Sequence, residues 1–196
     1  MILASASEAR ARLLRAAGVA VTTKPARLDE AAITEALVAE AAKAPEAAVT
    51  LATMKAEKIA GAEPGPALVI GCDQLLEAEG RWLDKPADRR ALADQLLSLR
   101  GRSHRLVSAA VVFRDVVRVW HQAAIVTLHV RPFSDAWLEA YLEAISDDLL
   151  ACVGGYQIEG LGAQLFSRID GDIFAVQGLP LLPLLECLRN QGALRP

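Results

Sequence analysis

Residues Ala67-Leu68-Val69-Ile70-Gly71 make a short, unbroken apolar run closed by a glycine, and the first charged side chain beyond Cys72 is a carboxylate, Asp73. Such a run reads as a strand covered on both faces, so the chain needs packing layers above and below a sheet. The flanking sequence supplies them. Ile2-Leu3-Ala4 is a second short buried strand. Ser7 is an N-cap for a helix running to about Ala17 and ended by Gly18. Residues 19 to 34 read as an irregular connection holding Asp29 and Glu30. A long Ala-rich helical tract then carries Lys55 and Lys58 near its end, before Gly61 and Pro64-Gly65-Pro66 close it.

Beyond Asp73, Gln74-Leu-Leu-Glu, the turn at Glu79-Gly80 and Arg81-Trp-Leu continue the strand into a hairpin. Ala91, Leu92, Leu96 and Leu99 share one face of a helix over 87 to 99, which Gly101 terminates. Arg105 to Phe113 and Val116 to Val130 are β-rich and read as an antiparallel pair about the Arg114-Asp115 turn. Ser134 caps a further helix, the Asp170-Gly171-Asp172 turn joins two strand segments, and Leu181 to Leu188 is a final apolar helix. No internal repeat or low-complexity linker interrupts this order. The expectation is one α/β domain over residues 1 to 196, built on a mixed sheet.

Composition excludes several roles. The 196 residues carry 24 acidic against 21 basic side chains, without the positive field that a duplex nucleic-acid binder carries. Hydrophobic residues reach 53%, with much of that Ala, and no segment approaches the roughly 20 apolar residues of a spanning helix. The start at Met1 lacks the pattern of a secretory signal. Cys72, Cys152 and Cys187 are scattered and odd in number, which argues against disulfides and structural zinc and for a reducing cytoplasm. His104, His121 and His129 are too dispersed for a metal cluster, the last two reading as hydrogen-bonded strand residues. Trp82, Trp120 and Trp137 read as packing residues.

Candidate chemistry gathers in three places. Ser5 to Arg10 sets hydroxyls and a guanidinium at a helix N-terminus, where unpaired N–H groups favour phosphate, although Ser7 serves equally as a plain cap. Asp73 at the edge of a buried strand is costly unless a metal, a lysine or a hydrogen-bond donor stands beside it, whether it works or closes a structural ion pair. Lys85 precedes Pro86 after the hairpin and can be aimed back over the strand end, and Lys55 can reach the same place from its helix. Glu30 reads as a solvated loop acid.

These segments occur in a distinctive order: Leu3-Ala4-Ser5-Ala6-Ser7 with Arg10, Leu28-Asp29-Glu30, Leu51-Ala52 with Lys55-Ala56, Val69-Ile70-Gly71-Cys72-Asp73-Gln74, and Lys85-Pro86. Leu99-Arg100-Gly101 with His104, Gly160-Leu161-Gly162-Ala163 and Gly178-Leu179-Pro180-Leu181 follow. Together they resemble the Maf family of nucleoside triphosphate pyrophosphatases from residue 2 to about residue 190. The resemblance implies an elongated α/β domain with a strongly twisted mixed sheet, a cleft between two lobes and often a homodimer. It makes Asp73 the proton acceptor that activates water, Lys55 and Lys85 its catalytic cations, and Ser5, Ser7 and Arg10 the phosphate-binding group. Glu30 and Asp73 would hold a divalent metal, Mg2+ or Mn2+. The implied reaction is attack of water on the α-phosphorus of a nucleotide, releasing pyrophosphate and a monophosphate.

Ala9, Gln74 and Glu159 match positions that bear on substrate choice. Gln74 stands where the branch acting on dTTP and UTP has Thr, Glu159 where it has Gln, and Cys152 where it has Lys. These resemble the 7-methyl-GTP branch, whereas Ala9 stands where that branch can have Trp, and Glu8 replaces the usual Pro. A carboxylate at Glu159 suits the N1–H and exocyclic amine of a guanine. The expected substrate is thus a modified nucleotide such as 7-methyl-GTP, cleared from the nucleotide pool. Hydrolysis of dTTP, UTP or ITP, and a regulatory role in septum formation, are the alternatives.

Overall fold

The computed structural model describes residues 1–195. In chain order it contains β1 (Ile2–Ala4), α1 (Glu8–Ala16), β2 (Thr22–Thr23), α2 (Glu30–Ala39), α3 (Ala44–Ala60), β3 (Leu68–Ala78), β4 (Arg81–Leu83) and α4 (Arg89–Leu99). It continues with β5 (Ser103–Arg114), β6 (Val117–Val130), α5 (Asp135–Ala144), three short 3-10 turns between Asp147 and Leu165, β7 (Phe166–Asp170), α6 (Ile173–Val176) and α7 (Leu181–Asn190). The strands form one twisted sheet in the order β2-β1-β3-β5-β6-β7, with β4 paired to β3. β1 runs parallel to β2 and β3, and the other pairings are antiparallel, so the sheet is mixed as expected.

The apolar run opens β3, with Val69, Ile70 and Gly71 buried between layers on both faces. On one face Val69, with Val107 and Val111 of β5, packs against Leu51, Ala52 and Ala56 of α3. On the other, Ile70, Cys72 and Leu3 pack against Leu14 of α1 and Leu184 and Leu188 of α7. A third cluster, with Leu76, Leu106 and Leu128 under Leu92 and Leu96 of α4 and Tyr141 of α5, fills the far end.

Three local expectations change. The segment 19 to 34 is not wholly irregular: Thr22–Thr23 adds an edge strand, and Asp29 caps α2 by accepting the Ala32 N–H at 3.1 Å. Glu30 is therefore the first residue of a helix, where its charge suits the helix dipole, and not a loop acid. The Ala-rich tract is two helices, because Pro45 fits only the first turn of a new one, and Ala41 turns the chain with φ +53°. Asp170-Gly171-Asp172 links a strand to a helix: β7 ends at Asp170, and Asp172 caps α6 through the Phe174 N–H at 3.0 Å. His129 is a hydrogen-bonded strand residue as expected, with Nδ1 2.8 Å from Ser103 Oγ and Nε2 2.8 Å from Asp170 Oδ2.

Two features of β3 determine where a site can form. β5 covers one edge from Leu68 to Glu77, while the opposite edge is shared between β1, paired at Val69 to Gly71, and β4, paired at Leu76 to Ala78. Cys72 to Leu75 therefore have no strand neighbour on that side, which leaves a notch in the sheet. Alongside it α3 lies very close to β3: a Cβ on Gly71 would stand 2.1 Å from the Ala52 carbonyl oxygen and 2.8 Å from Ala56 Cβ.

Gly71→Ala must push α3 off the strand, since backbone and not a flexible side chain obstructs the methyl group. We expect a stability loss of about 2 kcal/mol or more, read as a lower urea midpoint at unchanged m-value. A wild-type midpoint would mean that α3 is not held by this contact.

Candidate active site

The notch brings Asp73 and its partners together. Asp73 lies on the α3 face of β3, 5% exposed, and Lys55 of α3 reaches it with Nζ 2.6 Å from Oδ1. Lys55 is itself 8% exposed and also stands 2.9 Å from Glu30 Oε2 at the start of α2. One ammonium thus bridges two carboxylates from different elements. Burial raises Asp73 above its ordinary value, opposed by the charges of Lys55 and Arg10 and reinforced by Glu30. Cys72 is buried on the opposite face, and burial pushes its thiol up to about 11, which removes it as a nucleophile at neutral pH.

The turn from β1 into α1 forms the next wall. Ser7 caps α1, its Oγ accepting the Arg10 N–H at 3.3 Å. Ser5 is buried beneath, and its Oγ accepts the Ser7 N–H at 3.1 Å and a hydrogen from Arg10 Nη1 at 3.3 Å. Arg10 Nε donates to the Gly178 carbonyl at 3.0 Å. Gly178 has φ +97°, and a Cβ there would lie 2.8 Å from Arg10 Nε, so glycine both permits the turn and seats the guanidinium.

A cavity of about 560 Å³ opens over these groups. Its wall includes Ser7, Ala9, Arg10, Glu30, Lys55, Asp73, Gln74, Lys85 and Glu159, so one space collects every sequence-predicted site residue except Ser5, which stands behind the wall. Lys85 follows β4 beside the buried Pro86 and pairs with no carboxylate among the described residues, unlike Lys55. The wall carries three cations, Arg10, Lys55 and Lys85, against four carboxylates, Glu30, Asp73, Asp84 and Glu159. Among the described residues no group of three His, Cys, Asp or Glu gathers, so Asp73 and Glu30 offer at most two protein carboxylates to one ion.

Sequence reasoning missed several participants. Glu159 is not a bare acceptor, because Arg12 Nη2 stands 3.0 Å from its Oε1, an exposed pairing across 147 residues of chain that no local signal reveals. Trp82 packs against the α3 layer as expected and also lines the cavity. Tyr156, another wall residue, lies with its hydroxyl 2.6 Å from Nε2 of the buried His104, and burial lowers His104 to about 4. The Leu99-Arg100-Gly101 segment with His104 gave no sign of this partner.

Residues 1–191 match the family described as Maf-like protein. The chain is 46% identical to a nucleoside triphosphate pyrophosphatase of Paramagnetospirillum magneticum over 195 residues, covering 100% of both chains. It is 49% identical to one of Rhodospirillum rubrum over 194 residues, covering 99% of this chain and 96% of the relative. It is also 46% identical to one of Caulobacter vibrioides over 192 residues, covering 98% and 96% respectively. The chain belongs to the Maf-like protein family. No helix among the described residues is long and apolar enough to cross a membrane.

His104 gives the cavity wall a pH signature. Its value falls from 6.5 to about 4 on folding, so between those limits the unfolded chain binds the extra proton and stability drops as pH falls. The contribution is intact above pH 6.5 and shrinks by on the order of 3 kcal/mol towards pH 4. Urea midpoints measured across this interval should fall for the wild type and stay much flatter for His104→Gln; equal slopes would show that His104 titrates normally.

Proposed function

We propose that this chain acts as a nucleoside triphosphate pyrophosphatase, the name its relatives carry, and that it cleaves between the α- and β-phosphates. The observation that carries the reading is the buried Asp73 carboxylate beside Lys55 at 2.6 Å, in one cavity with Arg10 and Lys85. Asp73 takes a proton from water as its oxygen attacks the α-phosphorus, and the bond to the bridging oxygen breaks so that pyrophosphate leaves with the electron pair. A raised carboxyl is a stronger base than a solvated one, which suits this role. Arg10, fixed by Gly178, and Lys85, which pairs with no carboxylate among the described residues, bind phosphate oxygens, with Ser7 and the α1 N–H groups alongside and Ser5 holding the turn. Lys55 neutralises Asp73 and Glu30 until substrate phosphates share its charge.

A divalent cation, Mg2+ or Mn2+, fits this donor set. Three wall cations facing four carboxylates leave no surplus for a triphosphate, and magnesium is commonly held by one or two carboxylates with phosphate oxygens and water completing its shell. Glu30 and Asp73 would hold it, and when bound it offsets charge on the phosphates.

For the base, Gln74 and Glu159 favour a guanine-type nucleotide such as 7-methyl-GTP over UTP or dTTP. Arg12 leaves one Glu159 oxygen for the substrate. Pyrophosphate release should be faster with 7-methyl-GTP than with UTP, dTTP or ITP, and chelation of divalent ions should abolish it. Asp73→Asn should lower kcat by about 100-fold or more while nucleotide still binds. Full activity of Asp73→Asn would end the assignment, and equal rates across the panel would end the substrate preference.

A further inference from the structure

The fold dictates which way round the Gln74 amide sits. Its Nε2 lies 2.9 Å from Ser108 Oγ, 3.1 Å from the Ala175 carbonyl oxygen and 3.1 Å from the Val176 carbonyl oxygen. The Ser108 hydroxyl already donates its hydrogen to the Ala175 carbonyl at 2.6 Å, so towards Gln74 it is an acceptor as well. Three acceptors therefore converge on one end of the amide, and the NH2 end alone suits them. Turning the amide over would set its oxygen against two carbonyl oxygens and forfeit these bonds, at about 1–3 kcal/mol for each buried group left unpaired.

The holding groups are themselves fixed. Ser108 is fully buried and stands directly opposite Gln74 in the β3–β5 ladder. Ala175 and Val176 close α6, whose start Asp172 caps. The other end of the amide is open: Oε1 meets no donor among the described residues, is not one of the buried unpartnered atoms, and belongs to a side chain in the cavity wall beside Val176.

We infer that Ser108 and the α6 carbonyls lock Gln74 as a permanent acceptor, so that the base subsite takes nucleobases whose edge offers N–H donors and rejects those offering a ring-nitrogen acceptor. Ser108 is a positioning residue in this arrangement, acting through Gln74. A glutamine free to rotate offers either an acceptor or a donor and accommodates both kinds of base, whereas this one cannot adapt. With Glu159 as a second acceptor in the same cavity, the matching edge carries two adjacent donors, the N1–H and 2-amino group of a guanine-type base. Adenine, with an unprotonated ring nitrogen at that position, leaves Gln74 Oε1 facing a lone pair. The inference rests on the nucleotide reading above and deepens it by fixing the polarity of the base subsite.

The test is equilibrium binding of GTP, ATP and inorganic tripolyphosphate to the full chain by calorimetry, with pyrophosphate release measured in parallel. The wild type should bind GTP about 10-fold or more tighter than ATP, the scale of one or two lost hydrogen bonds. Gln74→Met, which offers the base no acceptor, should lose the GTP preference. Ser108→Ala should narrow the GTP preference about 3-fold and leave tripolyphosphate binding unchanged, which keeps the test open if the methionine variant does not fold. An undiminished preference in Ser108→Ala or Gln74→Met overturns the lock. The expected binding pattern without pyrophosphate release from any nucleotide would overturn the hydrolase reading and leave the lock standing.

Discussion

The contact between Gly71 and the backbone of α3 is the constraint from which the rest follows. With the Ala52 carbonyl 2.1 Å from where a Cβ would stand, helix and strand are closer than any side chain at that position permits. Ala48, Ala52 and Ala56 continue the small-residue surface along the helix, and all three are fully buried. Close approach brings Lys55, one residue before Ala56, to Asp73, two residues beyond Gly71. A helix a few ångströms farther out would leave a buried carboxylate with no cation beside it, a state that costs more than most single contacts return. Packing density and charge are therefore one design feature, and the Ala-rich composition of α3 serves the site as much as the core.

The notch in the sheet is the second requirement. β1 is three residues long and turns into α1 directly, so it vacates the edge of β3 where Asp73 and Gln74 lie, and β4 resumes the edge only at Leu76. Alternation along β3 then sends Asp73 to the α3 face and Gln74 to the face of Ser108 and α6. Because the cavity reaches both faces through the notch, the two adjacent side chains meet one space from opposite faces of the sheet.

Legibility in the sequence followed the range of the interactions. The β3 run, the Ser7 cap, the α4 face and the β5–β6 pair were readable because their signals lie within a turn or a strand. The gathering of Arg10, Lys55, Asp73 and Lys85 in one cavity was readable through the order of motifs that resemble the family. Pro45 carried the break between α2 and α3, but alanine on both sides concealed it. Glu30 was misplaced because the Asp29 cap was read as loop polarity. Arg12 with Glu159, His104 with Tyr156, and Gln74 with Ala175 and Val176 join positions that only the folded topology makes neighbours, so no periodicity or local spacing could expose them.

The ion pair at the centre raises an apparent conflict, since a carboxylate held by an ammonium at 2.6 Å is a poor base. Burial resolves it in part, because desolvation outweighs the attraction of Lys55 and Arg10 and leaves Asp73 raised. Glu30 resolves the rest. Lys55 already divides its charge between two acids, and Glu30, about half exposed, can give up its share to solvent at little cost, whereas Asp73 cannot. In the proposed reaction an arriving triphosphate competes with both for the same ammonium. On that proposal each phosphate oxygen that draws Lys55 away strengthens Asp73 as a base, and the pair that shields a buried charge at rest releases it as substrate binds.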